Sequence, residues 1–146
     1  MNCVANNAAP SFADAVADLL ESGCRLRFQA TGRSMHPAIG EGEMITVERV
    51  SVEDVRSGDV VLYRTQKCVI AHRVEKIERD CDSVTVLVLR GDACEHCDDP
   101  VLPSQVLGRV VAVDRDGRQI AVGRRALLLQ RFHAHVSRIK RIFCPA

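Results

Sequence analysis

The chain has 146 residues, enough for one domain with a real core and too few for two. Apolar residues make up 47% of it, which excludes a disordered polar chain. One Tyr, four Phe and no Trp leave few platforms on which bases could stack, so nucleic-acid binding is not expected.

The net charge of +1 conceals a split. Residues 124–146 hold Arg124, Arg125, Arg131, Arg138, Lys140 and Arg141 and no acid, whereas the preceding residues hold fourteen bases against nineteen acids. A basic tail on an acidic body suits an anionic partner or a membrane surface, or a helix folded back onto the acidic body.

Residues 1–10 are polar and rich in Ala and Asn, and are read as disordered and as no secretory signal. Ser11 is a candidate cap for a helix running to about Ser22, with Phe12, Val16, Leu19 and Leu20 on one face as core packing and Gly23 as terminator. From Arg25 onward the pattern becomes short runs rich in Val and Ile. Strands are predicted at Leu26–Ala30, Met44–Val50, Asp59–Arg64, Cys68–Glu78, Ser83–Arg90, Val106–Asp114 and Gln119–Val122, with a hairpin turn at Asp116-Gly117. Strands without intervening helices imply a mainly β fold, an antiparallel sandwich or partly open barrel. After Gly123 a helical period returns, with Leu128, Phe132, His135 or Val136, Ile139 and Ile142 or Phe143 in an apolar stripe and basic residues on the other faces. Such a helix can lie in a lipid headgroup layer or cover a barrel end. No apolar run reaches the roughly eighteen residues of a membrane span.

Two segments carry chemistry. Gly32-Arg33-Ser34-Met35-His36-Pro37 puts a serine on a loop after a strand, where a nucleophile can be both exposed and held. A serine needs a base to take its proton. His72 lies in the run Ile70-Ala71-His72-Arg73-Val74, sharing a strand face with Ile70 and Val74. A desolvated imidazole favours its neutral form, which a general base must have. Taken alone, a serine in such a loop is more often a turn residue, and a histidine on an apolar strand face is more often a satisfied core residue. A carboxylate orienting the imidazole would complete the set, and Asp92, Asp98 and Asp99 follow the strand that ends at Arg90-Gly91.

With these residues in place the sequence resembles the signal-peptidase superfamily, which also includes self-cleaving repressors. The resemblance rests on five ordered motifs spanning about residues 28–113: Gly32-Arg33-Ser34-Met35-His36-Pro37, Gly42-Glu43-Met44-Ile45, Gly58-Asp59-Val60-Val61, His72-Arg73-Val74 and Gly91-Asp92. A histidine stands where the main bacterial enzymes and the repressors have lysine. The chain is therefore similar to the archaeal, endoplasmic-reticulum and sporulation-type branch, which uses Ser and His with aspartates. That resemblance implies a serine endopeptidase of the signal-peptidase catalytic type, with Ser34 as nucleophile, His72 as base, and Asp92 and Asp98 as supporting carboxylates, Asp99 standing as an alternative to Asp98. It implies no cofactor and a peptide or protein substrate lying extended beside a strand. Family members often add a hydroxyl two residues before the nucleophile; here Gly32 occupies that position, with Thr31 beside it.

The absence of an apolar anchor and of room for a large second domain leads us to expect a small soluble or peripheral cytoplasmic peptidase. A catalytically weak member that binds peptides or a partner is the alternative. The seven cysteines are odd in number and irregular in spacing, and most of them read as reduced thiols in a cytoplasmic setting. Cys94-Glu95-His96-Cys97 is half a zinc site, and closing it would need ligands from elsewhere, such as Cys68 or Cys81; the expectation is no bound metal.

Overall fold

Ser11 begins the ordered fold by capping a helix, α1 (Phe12–Glu21). Its hydroxyl accepts from the Asp14 backbone N–H at 3.2 Å, and the Asp14 carboxylate accepts from the Ser11 N–H in return. These bonds to Ser11, with Arg64 beside them, hold the Asp14 carboxyl below its ordinary value. The computed structural model describes residues 11–124; the disorder expected over 1–10 and most of the basic helix expected after Gly123 lie outside the described residues.

Seven strands follow: β1 (Leu26–Gln29), β2 (Met44–Glu48), β3 (Val60–Arg64), β4 (Val69–Asp80), β5 (Ser83–Arg90), β6 (Val106–Arg115) and β7 (Arg118–Ala121). They form one antiparallel sheet in the order β1-β2-β6-β3-β4-β5, which does not close on itself. β6 pairs β2 along one edge, and β3 and then β7 along the other, so it is the spine of the sheet. The mainly β expectation and all seven strands hold, and Asp116-Gly117 forms the turn between β6 and β7. Two short 3-10 turns, Val52–Asp54 and Pro103–Gln105, fall within stretches read only as loop.

The sheet separates two apolar clusters. Along β3, Val60 and Leu62 enter one, while Val61 and Tyr63 enter the other. That strand is therefore buried on both faces, which explains its unbroken apolar run. Register shifts at Thr46/Val47, Leu62/Tyr63 and Val74/Lys76 mark bulges that bend the strands and increase their twist.

α1 packs across β6 at Gly108, where a Cβ would lie 2.7 Å from the Glu48 carbonyl oxygen and 3.0 Å from Leu20 Cδ1. Only a glycine lets the helix sit this low. The contact also corrects the expected helix face. Val16 and Leu20 are buried, with Ala13 and Ala17 packed beside them, but Phe12 is 64% exposed and Leu19 47%. The small alanines allow the close approach, and the larger Phe12 and Leu19 are turned off the contact line. Phe12 instead meets Phe28 of β1 edge to face, centroids 6.2 Å apart.

Candidate active site

Ser34 lies in the turn-rich segment between β1 and β2. Its neighbours Met35 and Ile39 are buried in the cluster beneath, so the loop is rooted on either side of the serine. Glu43 ties the far end: it accepts from the Gly40 N–H at 2.6 Å and from Arg115 through both carboxylate oxygens, at 2.5 and 2.9 Å. Arg115 also reaches the Pro37 carbonyl at 3.1 Å. The Arg115 guanidinium holds the Glu43 carboxyl down at about 2, against an ordinary 4.5.

His72 projects from β4 on the face it shares with Val74, and is 6% exposed. Its Nε2 lies 2.9 Å from Ser34 Oγ and its Nδ1 lies 2.6 Å from Asp98 Oδ2. Asp98 arrives by a return of the chain. After β5 the segment turns at 91–97 and runs back along that strand, with the Asp98 N–H donating to the Leu89 carbonyl at 2.8 Å and Val101 bridging Leu87. Leu89 opposes Val74, two residues from His72 on the same face, and this puts the carboxylate beside the ring. Ser34, His72 and Asp98 thus form a continuous hydrogen-bonded chain, an arrangement that can support acyl transfer.

Asp92 stands apart from it. It was expected to support His72, but makes no hydrogen bond to the ring; its two oxygens accept from Arg73 Nε and Nη2, each at 2.7 Å. The reason is strand alternation: Arg73 faces away from the side that carries His72 and takes Asp92 with it. Arg73 Nη1 also donates to the Gly58 carbonyl at 2.9 Å, joining the Gly58-Asp59 and Gly91-Asp92 motifs. The bond to Asp92 raises the guanidinium further above its ordinary range. Asp99, the alternative to Asp98, lies beside the site without a bond to His72.

Gly91 explains its own motif. A Cβ there would meet the Ser34 carbonyl oxygen at 2.6 Å, Cys94 Sγ at 2.7 Å and His72 Nε2 at 3.0 Å. The same turn donates the Ala93 N–H to the Ser34 carbonyl at 2.8 Å, fastening the serine loop to the Asp98 segment. The Ser34 N–H itself has no acceptor among the described residues and is available to an oxyanion. Gly32 offers no hydroxyl, and the neighbouring Thr31 is exposed at the cleft.

A cleft of about 610 Å³ opens beside Ser34 and His72, lined by Phe12, Phe28, Ile39, Ile45, Leu62 and Val69 among others. Tyr63, which the sequence did not single out, donates its hydroxyl to Asp98 Oδ2 at 2.9 Å. The short β3–β4 loop fixes a register that puts Tyr63 on the His72 face, and that register was the available signal. The Cys94–Cys97 loop forms part of the turn after Gly91. Among the described residues no group of three or more His, Cys, Asp or Glu converges to hold a metal ion, and five cysteines, Cys24, Cys68, Cys81, Cys94 and Cys97, are free thiols. No described helix is long and apolar enough to cross a membrane.

No family model matches the chain, and no curated protein matches it.

Proposed function

We propose that this chain is a serine endopeptidase of the Ser/His/Asp type, similar in its motifs to the histidine branch of the signal peptidases, acting in the cytoplasm or at a membrane surface. The observation that carries the reading is the bonded sequence Ser34–His72–Asp98, with contacts of 2.9 and 2.6 Å. Ser34 Oγ attacks the scissile carbonyl while His72 Nε2 takes its proton. Asp98 holds the ring through Nδ1–H and stabilises the imidazolium as it forms. The oxyanion is met by the Ser34 N–H. His72 then gives its proton to the leaving amine, and water attacks the acyl ester by the same route in reverse.

A peptide fits the surroundings better than a small ester. β1 is an edge strand, and β5 pairs β4 only from Arg73 onward, so the outer edge of Val69–Ala71 is also open among the described residues. Residues of both edges line the cleft. An extended chain can add to such edges through its main-chain groups while apolar side chains enter the cleft.

One observation favours a weaker reading, in which the site binds peptides and turns them over slowly: Gly32 has no side chain from which a second oxyanion donor could come. Loss of one such donor lowers rates elsewhere by about 10²–10³-fold. Incubation with a peptide library, read by mass spectrometry, separates the two. Cleavage by the wild type and none by Ser34→Ala is the expected result; binding of peptides without cleavage supports the weaker reading.

A further inference from the structure

Tyr63 is 3% exposed, on a strand whose other residues are aliphatic or, at its end, Arg64. Val61 opposes His72 and Tyr63 opposes Ile70, so all four share one face of the sheet. The tyrosine and histidine rings lie 6.4 Å apart, centroid to centroid. The phenol hydroxyl bonds at 2.9 Å to Asp98 Oδ2, the same oxygen that lies 2.6 Å from His72 Nδ1. A phenylalanine would fill the same space, so packing alone does not require the hydroxyl.

We infer that Tyr63 is a positioning residue that acts through Asp98, fixing the carboxylate rotamer and sharing the charge on Oδ2 that would otherwise act undivided on His72. The inference rests on the peptidase reading for its kinetic consequence, but not for its geometry. Burial, and then the bond to Asp98, push the phenol well above its ordinary range, so it stays a donor wherever the enzyme would work. The titratable groups facing it are Asp98 and His72, with Cys68 and Asp99 farther off.

The test is the rate of inactivation by a fluorophosphonate across pH for wild type, Tyr63→Phe, Asp98→Asn and the double variant. Tyr63→Phe is expected to react roughly tenfold more slowly near neutrality, as removal of a bond to a charged group implies. Its acid limb should move to higher pH, because an undivided Asp98 charge favours the imidazolium. The substitution should add nothing further once Asp98 is Asn. Uniform slowing at all pH values, multiplying effects in the double variant, or an unchanged rate overturns the inference. A second readout does not depend on catalysis: the low-field proton signal of His72 Nδ1–H, followed in Ser34→Ala protein. It should shift with Tyr63→Phe and vanish with Asp98→Asn. An unmoved signal overturns the inference; a shifted signal in a protein whose wild type never reacts overturns the peptidase reading instead.

Discussion

Gly91 and Ser34 are packed so closely that one methyl group would drive them apart: a Cβ on Gly91 would lie 2.6 Å from the Ser34 carbonyl oxygen. The obstacle is backbone and cannot swing aside. Gly91→Ala is therefore expected to push the serine loop away from His72 while leaving the sheet intact. A displacement near 1 Å at a reacting pair lowers rates about 10²-fold. Phosphonate labelling should fall by that order with the far-UV spectrum unchanged; wild-type labelling would show that the loop yields at no cost.

The two aspartates divide their roles, and their substitutions should divide likewise. Asp98→Asn removes the charge beside the His72 ring and should lower labelling by as much as ~10⁴-fold with modest loss of stability. Asp92→Asn breaks a partly buried two-pronged bond to Arg73 and should lower stability by about 1–3 kcal/mol while labelling changes only severalfold. Urea melts and labelling rates of the two variants, taken together, check this; equal loss of labelling in both contradicts the division.

Glu43 gives the fold a specific acid sensitivity. Its carboxyl is depressed in the folded protein, to about 2 from an ordinary 4.5. A depressed folded value means that the contribution is complete above about 4.5 and is lost as pH falls toward about 2. Stability measured by urea denaturation through that window should fall more steeply in the wild type than in Glu43→Gln. Parallel curves would remove Glu43 as the cause.

At Gly108 the helix and the sheet meet without room for a side chain. Gly108→Ala would bring a Cβ to 2.7 Å from the Glu48 carbonyl oxygen and 2.9 Å from Val47 Cγ1. Overpacking of this sort costs about 1–3 kcal/mol. A lowered melting temperature is expected, with a smaller loss for the exposed Leu19→Ala than for the buried Leu20→Ala, which should cost about 2–5 kcal/mol.

The strands were legible because Val- and Ile-rich runs alternate with Gly and Asp, and the local rules that make strands and turns act over a few residues. Ser34 and His72 were legible as members of ordered motifs, although each alone resembles an ordinary turn or core residue; Asp98 lies outside those motifs and was named together with Asp92, with Asp99 as its alternative. Which aspartate serves His72 was not legible, because it depends on the 91–97 turn sending Asp98 back along β5 and on Arg73 claiming Asp92. Tyr63 was missed for a related reason: a hydroxyl on an apolar strand finds its partner only when the chain beyond β5 returns and brings Asp98 to the face that Tyr63 shares with His72. The face of α1 was misjudged because a 3.6-residue period says which residues share a side, not which side a glycine on the neighbouring strand will admit.

The most direct measurement is to locate the phosphonate adduct by peptide mapping and mass spectrometry after treatment of the whole chain. A single adduct on Ser34, abolished in His72→Ala, is the expected result. No adduct on Ser34, or one that persists undiminished in His72→Ala, would contradict a nucleophilic role for the serine activated by the histidine 2.9 Å away.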